Sequence, residues 1–241
     1  MIIKNLKNIY FKQMFFPGWL GVFTNPFYFA RLGLSLAMSE FADKLSGRLL
    51  DVGCGSKPYK SLFVVEDYVG LDIDSENTRL SGTADKLYDG KDFPFEDNSF
   101  DSVLCNQVLE HVFNPQDFLS EINRVLKPGG RLLLTVPFVW DEHEQPYDFA
   151  RYSTFGLRAL LEGGGFKFIS HKKLGADVTC IFQLINAYIF KVTQHWPRLV
   201  NLLLAATVMA FFNLLGIFLK TILPDNPDLF LDHVVLVENT K

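Results

Sequence analysis

Short apolar runs alternate with amphipathic stretches through the middle of the chain. The runs predict β-strands, and stretches with apolar residues every three to four positions predict helices. The predicted strands are residues 48–52, 68–73, 102–105 and 131–136, and the predicted helices are residues 115–125 and 154–162. Because the strands are apolar on both faces and helices come between them, the pattern indicates a parallel sheet covered by helices.

The same pattern extends to both ends of the chain. Apolar residues at helical intervals predict a helix over residues 27–44, and residues 165–169 and 231–237 predict two further strands. Between these two strands, residues 178–190 and 199–219 carry no charged side chain. The second stretch reaches the roughly 20 residues that a membrane-spanning helix needs, and the first falls short. The chain therefore holds a long apolar insertion between its last two strands.

Charge and cysteine content narrow the classes of function. A length of 241 residues fits one α/β domain with additions. Because 23 Lys+Arg stand against 27 Asp+Glu, nucleic acid is not expected as a partner. Cys54, Cys105 and Cys180 lack the paired spacing of a zinc site or a disulfide framework, which favours a reducing compartment.

The first 39 residues contain no acidic residue, and their basic residues are interleaved with aromatic and aliphatic ones. Lys4, Lys7 and Lys12 interrupt the apolar run at short intervals, so the segment lacks the pattern of a cleaved secretory signal. We expect a basic, aromatic arm that stays on the protein.

The strongest candidate site follows the first predicted strand. Gly53 and Gly55 flank Cys54 there, and glycines at this point allow a tight turn and a close approach of backbone to ligand. A dinucleotide-binding loop would need a further glycine where this chain has Pro58, which weakens that interpretation. Asp72 ends the second strand and can accept hydrogen bonds from both hydroxyls of a ribose. The alternative for Asp72 is an aspartate that only caps a turn.

Five motifs follow one another in an order typical of one enzyme family. They are Leu-Asp-Val-Gly-Cys-Gly (50–55), Gly-Leu-Asp (70–72), Pro-Phe-Glu-Asp-Asn-Ser-Phe-Asp (94–101), Leu-Glu-His (109–111) and Leu-Lys-Pro-Gly-Gly (126–130). With these motifs, residues 48–138 resemble the type 11 family of class I S-adenosylmethionine-dependent methyltransferases.

The resemblance implies a fold and a division of the chain. The expected fold is α/β, a Rossmann-like three-layer sandwich whose seven-stranded, mostly parallel sheet has an antiparallel last strand, plus the apolar helical insertion. The expected regions are an N-terminal arm and helix (1–46), an S-adenosylmethionine-binding core (47–175), an apolar helical hairpin (176–224) and the last strand of the core (225–241).

The resemblance also implies which residues contact the cofactor, S-adenosyl-L-methionine. Asp51, Gly53 and Gly55 would line its methionine end, with Cys54 as a small apolar filler rather than a redox group. Many relatives have a third glycine where this chain has Lys57, which leaves the shape of the methionine pocket open.

The remaining cofactor contacts follow the next strands. Asp72 would bind the ribose, and Asp89 with Gly90 would meet the adenine. The expected set also includes Ile73 beside Asp72, Asn106 facing the sulfonium and, as the alternative to it, Gln107.

Methyl transfer needs a general base only when the acceptor must lose a proton, and histidine suits that task near neutral pH. His143 is one candidate, and its alternative is a loop histidine bound to a neighbouring carboxylate; for His111, a structural role is favoured over a catalytic one. Asp148, Arg151 and Tyr152 form either an ion-paired hinge over the site or a purely structural group. The spacing of His, Asp and Glu suggests no metal site, so we expect a metal-independent enzyme.

The apolar insertion carries a topological constraint. Since the strands on either side of it are expected in one sheet, the insertion must cross a membrane twice or not at all. Asn201 and Asn213 interrupt its longer stretch, so we expect a helical hairpin in one leaflet, beside the basic arm. Trp19, Tyr28 and Trp196 would suit the interfacial belt. The alternative is a subdomain buried against the domain or against a second subunit in a homodimer.

These features predict methyl transfer to a small-molecule, glycan or lipid-linked acceptor, by an enzyme peripheral to the inner, cytoplasmic face of the membrane. The pattern of His143, Pro146, Asp148 and Arg151 resembles that of enzymes that modify surface glycans or lipids. The alternative is a membrane-associated scaffold that binds the cofactor without turnover, but retention of both acidic cofactor residues speaks against it. Aminopropyl transfer is disfavoured by the apolar surroundings.

Overall fold

A computed structural model describes residues 2–241 of the chain, with side chains from Ile9 onward. The chain divides into two compact units. The sheet unit comprises Met38–Phe138, Glu142–Lys172 and His233–Lys241, and the apolar unit comprises Met1–Ala37, Val139–Asp141 and Lys173–Asp232. Lys4 and Lys7, part of the predicted basic arm, lie outside the described side chains.

The chain forms a seven-stranded sheet. Its strands are β1 (Arg48–Val52), β2 (Asp67–Ile73), β3 (Lys86–Tyr88), β4 (Phe100–Asn106), β5 (Leu126–Pro137), β6 (Phe166–Leu174) and β7 (Asp232–Asn239). Their order is β3-β2-β1-β4-β5-β7-β6. The strands from β3 to β5 pair in parallel, and the last strands are antiparallel. The predicted fold class is thereby confirmed.

The structure has helices at the predicted positions 27–44, 115–125 and 154–162 and in the apolar insertion, and further helices that are not predicted. The helices are α1 (Ile2–Phe15), α2 (Gly21–Thr24), α3 (Tyr28–Phe41), α4 (Glu76–Ser81), α5 (Pro115–Val125), α6 (Thr154–Gly163), α7 (Thr179–Thr193), α8 (Arg198–Leu204) and α9 (Ala210–Lys220). Proline at the first position of α5 is favourable because its missing N–H would have no partner there. The helix then buries one apolar stripe, made of Phe118, Leu119, Ile122 and Val125.

The core of the sheet unit is built on the central strands. Leu50 and Val52 of β1, like Val103 of β4, are completely buried. Polar side chains lie near the carboxyl ends of the central strands, where Asp51 of β1, Asp72 of β2 and Asn106 of β4 form a polar edge. This edge is where an α/β sheet presents its ligand-binding residues.

Two details differ from the sequence expectation. The sequence predicts β5 from residue 131, but the strand begins at Leu126. Phe100 pairs with Leu126 and Ser102 with Arg131, so the predicted Lys-Pro-Gly-Gly turn is an irregularity inside the strand. Strand β3 is not predicted, because three residues at the edge of a sheet are too short for a periodic signal.

The apolar unit is helical. Helices α8 and α9 continue into one another through a π-helical turn at Ala205–Met209. The most apolar 18-residue window of the combined helix Arg198–Lys220 has a mean hydropathy of 2.4, and the helix is, by length and composition alone, able to cross a membrane. The buried core of this unit includes Val22, Tyr28, Phe29, Ala30, Cys180, Phe182 and Leu231.

Candidate active site

The loop after β1 begins the candidate site. The N–H groups of Gly53 and Cys54 donate to the carbonyl of Leu71 in β2 (2.9 and 3.1 Å), which folds the loop over the neighbouring strand. Gly53 and Gly55 have φ values of 69° and 48°, a region that favours glycine. A Cβ on Gly53 would lie 2.3 Å from Val108, whereas a Cβ on Gly55 would meet nothing within 4 Å. The loop is therefore packed at Gly53 and open to a ligand at Gly55.

Asp72, at the end of β2, holds this open loop. Its Oδ2 accepts from the N–H of Gly55 (2.9 Å) and its Oδ1 accepts from the N–H of Ile73 (2.8 Å). A carboxylate offers about four lone-pair sites, so each oxygen can accept a further hydrogen bond. Ile73 itself is half exposed beside the carboxylate.

Asp51 lies within β1 and is almost completely buried, with 4% of the residue exposed. The hydroxyl of Tyr68 donates to its Oδ2 (2.5 Å). Burial raises the pKa of Asp51 to about 7; the Tyr68 hydrogen bond and the Lys57 ammonium oppose this shift, and the Asp72 carboxylate adds to it. The structure thus places beside the loop a carboxyl group that changes charge near neutral pH.

Lys57 lies in the same loop, two residues after Gly55. Its Nζ lies 2.5 Å from Oδ2 of Asp85, which also accepts from the N–H of Gly70 (2.6 Å). A Cβ on Gly70 would overlap the Lys57 side chain. Burial would raise the pKa of Asp85, but the Lys57 ammonium and the Gly70 N–H together lower it. The lysine is therefore directed along β2 and paired, and Gly70 makes room for it.

Asp89 and Gly90 follow β3 at the same edge. The Asp89 carboxylate accepts from the N–H groups of Lys91 (3.0 Å) and Asp92 (3.3 Å), which lowers its pKa although burial acts against this. Gly90 has a φ of 91°, and a Cβ there would lie 3.6 Å from Cδ1 of Ile73. The structure thereby brings Ile73 and Gly90 together, with Asp89 exposed beside them.

Asn106 ends β4 and Gln107 follows it, and both share one partner, Thr135 of β5. The Thr135 hydroxyl donates to Oδ1 of Asn106 (2.9 Å) and accepts from the backbone N–H and the Nε2 of Gln107 (3.1 and 3.2 Å). Gln107 has a φ of 57°. Thr135 thus fixes both amide side chains.

The two candidate catalytic histidines lie together. The rings of His111 and His143 are 4.8 Å apart and nearly perpendicular. Nδ1 of His111 is 2.8 Å from the carbonyl oxygen of Tyr147, and Nδ1 of His143 is 3.3 Å from Oδ2 of Asp148. Burial lowers the pKa of His111, so this ring is neutral near neutral pH.

Asp148 is buried and holds the histidine loop. Arg151 binds both of its oxygens (2.5 and 2.7 Å), and the N–H of His143 donates to it (3.0 Å). Burial would raise the pKa of Asp148, but the Arg151 guanidinium and the His143 N–H lower it to about 2. Asp148 is therefore a carboxylate at every physiological pH.

Sequence reasoning gave no role to several residues that shape this site. Tyr68, Asp85, Glu110 and Thr135 are among them. Glu110 stands inside the recognised Leu-Glu-His motif, and its side chain is completely buried next to the histidines. The motif is the only sequence signal for Glu110. Tyr68, Asp85 and Thr135 carry no such signal, because they act through contacts between separate parts of the chain.

The residues present fit an adenosine bearing a methionine chain. The loop at Gly55 is open, the Asp72 carboxylate beside it can accept more hydrogen bonds, and Asp51 offers a buried acid next to the loop. The Asp51 carboxyl suits the ammonium group of such a ligand, the Asp72 carboxylate suits its ribose, and the open loop at Gly55 leaves space beside them.

Comparison with known proteins identifies the family to which the chain is similar. Residues 50–134 match the family described as "Methyltransferase domain". Demethylmenaquinone methyltransferase of Staphylococcus haemolyticus is 32% identical over 187 residues, covering 60% of this chain and 78% of that protein. Fatty-acid O-methyltransferase of Mycolicibacterium smegmatis is 37% identical over 106 residues, covering 39% of this chain and 38% of that protein.

Similarity to solved structures concerns the fold. The structure of phosphoethanolamine N-methyltransferase 2 of Haemonchus contortus, in complex with S-adenosyl-L-methionine, has a TM-score of 0.56 at 17% identity and covers 92% of this chain and 56% of that one. The chain spans less than half the length of several curated relatives, such as 38% for the fatty-acid enzyme. It spans 78% of the demethylmenaquinone enzyme at 32% identity. The chain therefore belongs to the class I S-adenosyl-L-methionine-dependent methyltransferases, of Rossmann-like fold.

Proposed function

We propose that the chain transfers a methyl group from S-adenosyl-L-methionine to an apolar small-molecule or lipid-linked acceptor at the inner face of a membrane. The cofactor, when bound, supplies a methyl group on a positively charged sulfur. The observation that carries the proposal is the cluster of Asp51, the loop at Gly55 and Asp72 at one sheet edge.

Each part of this edge has a task that its chemistry suits. Asp51 would attract the ammonium group of the methionine part, and Asp72 would accept hydrogen bonds from the ribose. Ile73 and Gly90 offer an apolar side chain and bare backbone for the adenine, with Asp89 next to them. Beyond these five, Asn106 would lie on the sulfonium side, with Gln107 as the alternative.

His143 is the better placed of the two candidate bases. An ionised carboxylate, Asp148, lies 3.3 Å behind its Nδ1, and a base oriented by a third group is the usual arrangement for removing a proton. His111 would orient the pair, since the Tyr147 carbonyl holds its Nδ1. Arg151 fixes Asp148 and through it the loop.

An apolar acceptor is supported by the surroundings of the histidines. Phe113 and Phe149 are 76% and 44% exposed, and their rings are 5.4 Å apart. The N–H of Phe149 donates to the carbonyl of Glu110, which places this aromatic pair beside the histidine turn. Two relatives are named for a fatty acid and for demethylmenaquinone, both apolar acceptors.

The membrane part of the proposal comes from the helix Arg198–Lys220. Only 28% of its most apolar window is buried. Its exposed side chains include Leu199, Leu202, Leu203, Phe211 and Phe218. An exposed apolar surface of this extent is costly in water and favours contact with lipid.

The other face of this helix is fixed within the apolar unit, which favours a helix in the plane of the membrane. Asn213 is completely buried, donates to the carbonyl of Val22 (2.8 Å) and accepts from Nδ2 of Asn186 (2.9 Å). A Cβ on Gly216 would lie 2.8 Å from the ring of Phe29. Pulling the helix out to span a bilayer would break these contacts, whereas laying its free face on one leaflet keeps them.

The acceptor is tested by incubating the full chain with methyl-labelled cofactor and, separately, with a lipid extract and a polar extract of cells. We expect label in the lipid extract only, and roughly 10- to 150-fold slower labelling by Asp72→Ala at the same subsaturating cofactor concentration. Label confined to the polar extract would contradict the apolar acceptor. Absence of label from both would contradict turnover.

The membrane contact is tested by flotation with phosphatidylglycerol-containing vesicles. Each large apolar side chain inserted contributes roughly 1.5–3 kcal/mol, so Leu203→Asp with Phe218→Asp should reduce binding at least about 10-fold. Val64→Asp is the matched control, because Val64 is 95% exposed in the sheet unit. A different result would identify a subunit interface instead. In that case the native chain would not bind vesicles and would be a dimer in solution, and the two substitutions together would make it monomeric.

A further inference from the structure

Three side chains with metal-binding atoms meet where the turn after β4 approaches the loop after β5. Glu110, His111 and His143 each offer one ligand atom, and these atoms lie within 4.8 Å of one another. The Glu110 side chain is completely buried, whereas those of His111 and His143 are 21% and 31% exposed. The cluster is therefore closed on its carboxylate side and open on its imidazole side.

We propose that Glu110, His111 and His143 bind a divalent transition-metal ion. Two histidines and one carboxylate form the ligand set of Zn²⁺ and Fe²⁺ sites that keep positions open for substrate. Metal–ligand bonds of about 2.0–2.2 Å place ligand atoms roughly 3–3.5 Å apart, so side-chain shifts on the order of 1 Å close the site.

The surroundings of the two rings support this proposal. A carbonyl oxygen only accepts hydrogen bonds, so Nδ1 of His111, 2.8 Å from the Tyr147 carbonyl, carries the proton. The other ring nitrogen, Nε2, lies 3.8 Å from Oε1 of Glu110 and has the lone pair that a metal needs. Oδ2 of Asp148 lies 3.3 Å from Nδ1 of His143. A carbonyl behind one histidine and a carboxylate behind the other are the usual outer-shell partners of metal ligands.

The catalytic role of this ion, unlike its binding, rests on the proposed function. An acceptor oxygen bound at an open position would have a lowered hydroxyl pKa, and its proton would leave to solvent. His143 would then act as a ligand rather than as a free base. This arrangement reverses the metal independence expected from sequence spacing, because Glu110 and His143 come together only in the folded chain.

The test is a titration of the full chain, stripped with chelator and desalted, with Co²⁺ followed by visible absorption. We expect saturation at one ion per chain and displacement by Zn²⁺. Because outer-shell changes alone weaken metal sites 10- to 100-fold, His111→Ala and His143→Ala should weaken binding at least about 100-fold. His195→Ala is the matched control, since His195 is exposed and lies in the apolar unit, and it should bind Co²⁺ like the native chain.

A further variant keeps the proposal testable if His111→Ala and His143→Ala fail to fold. Asp148→Asn keeps all three ligands and should weaken Co²⁺ binding by roughly 10- to 100-fold. No saturable binding by the native chain, or equal binding by the native chain and both histidine variants, would overturn the proposal. Cofactor binding by the metal-free chain is measured alongside. If the cofactor binds and Co²⁺ does not, only this inference fails; if Co²⁺ binds and the cofactor does not, the proposed function fails instead.

Discussion

The charge of Asp51 is expected to control cofactor affinity between about pH 5 and pH 7. Burial is the main reason that its pKa rises to about 7, with the Asp72 carboxylate adding to the shift against the effects of Tyr68 and Lys57. Only the ionised carboxylate attracts an ammonium group. At pH 5 the acid beside the glycine loop is therefore neutral, and at pH 8 it is negative.

The size of the effect follows from the shift. One pKa unit corresponds to about 1.4 kcal/mol, or a factor of about ten in a binding constant. If the bound ammonium returns Asp51 to an ordinary pKa near 4, affinity rises about tenfold per pH unit from pH 5 to pH 7 and levels off above. The total gain over this window is about 100-fold, and binding at pH 6 releases close to one proton.

Isothermal titration at pH 5, 6, 7 and 8, in two buffers of different ionisation enthalpy, measures both the cofactor affinity and the number of protons released on binding. Asp51→Asn should bind about tenfold more weakly than the native chain at pH 5 and fall further behind as the pH rises. Tyr68→Phe removes a hydrogen bond that lowers the Asp51 pKa, so the rise in affinity should move to higher pH. An affinity that is flat from pH 5 to pH 7 in the native chain would refute the reasoning.

The raised pKa of Asp51 also affects the stability of the chain when no cofactor is bound. The pKa of Asp51 is higher in the folded chain than in the unfolded chain, so between about pH 4 and pH 7 the folded state holds a proton that the unfolded state has lost. Stability therefore falls as the pH rises through this window, by up to about 4 kcal/mol. Asp51→Asn should remove this loss and be more stable than the native chain at pH 8 in urea unfolding.

Two further changes test other parts of the structure. Asp72→Ala should weaken cofactor binding by about 1.5–3 kcal/mol, or roughly 10- to 150-fold, whereas Asp74→Ala, which removes an exposed partner of Arg79, should leave the dissociation constant unchanged. Gly216→Ala should lower the free energy of unfolding by about 1–3 kcal/mol, because the new Cβ would press on Phe29 and Phe182. Gly163→Ala, at a helical position where a Cβ meets nothing within 4 Å, should instead raise it by about 0.5–1 kcal/mol; equal effects of the two glycine changes would contradict the packing argument.

The central sheet could be predicted from sequence because its signal is local. Every residue of β1 after Arg48 is buried, so the strand is recognisable in the sequence as a mainly apolar run followed by glycines. The position of Asp72 at the tip of β2 also follows from local pattern. By contrast, β3 has three half-buried or exposed residues and no local signal.

The parts of the site that could not be predicted depend on contacts between distant segments. Tyr68 binds Asp51 because β2 pairs with β1, and Thr135 binds Asn106 because β5 pairs with β4 in that register. Neither partner is recognisable in the sequence, since a tyrosine or threonine in a strand is ordinarily a packing residue. The pKa of Asp51 is likewise a property of the folded chain, because burial causes most of it.

The contact between Gly53 and Val108 links the two halves of the site. A Cβ on Gly53 would lie 2.3 Å from Val108, so no other residue permits the loop after β1 to approach the turn that carries Glu110 and His111 this closely. Alignment of a nucleophile with a methyl group supplies roughly 7–11 kcal/mol of barrier lowering, and a shift of about 1 Å costs on the order of 100-fold in rate. Under the proposed function, the packing of Gly53 against Val108 would set the distance from the loop after β1 to the histidines, and this distance would decide whether transfer is aligned.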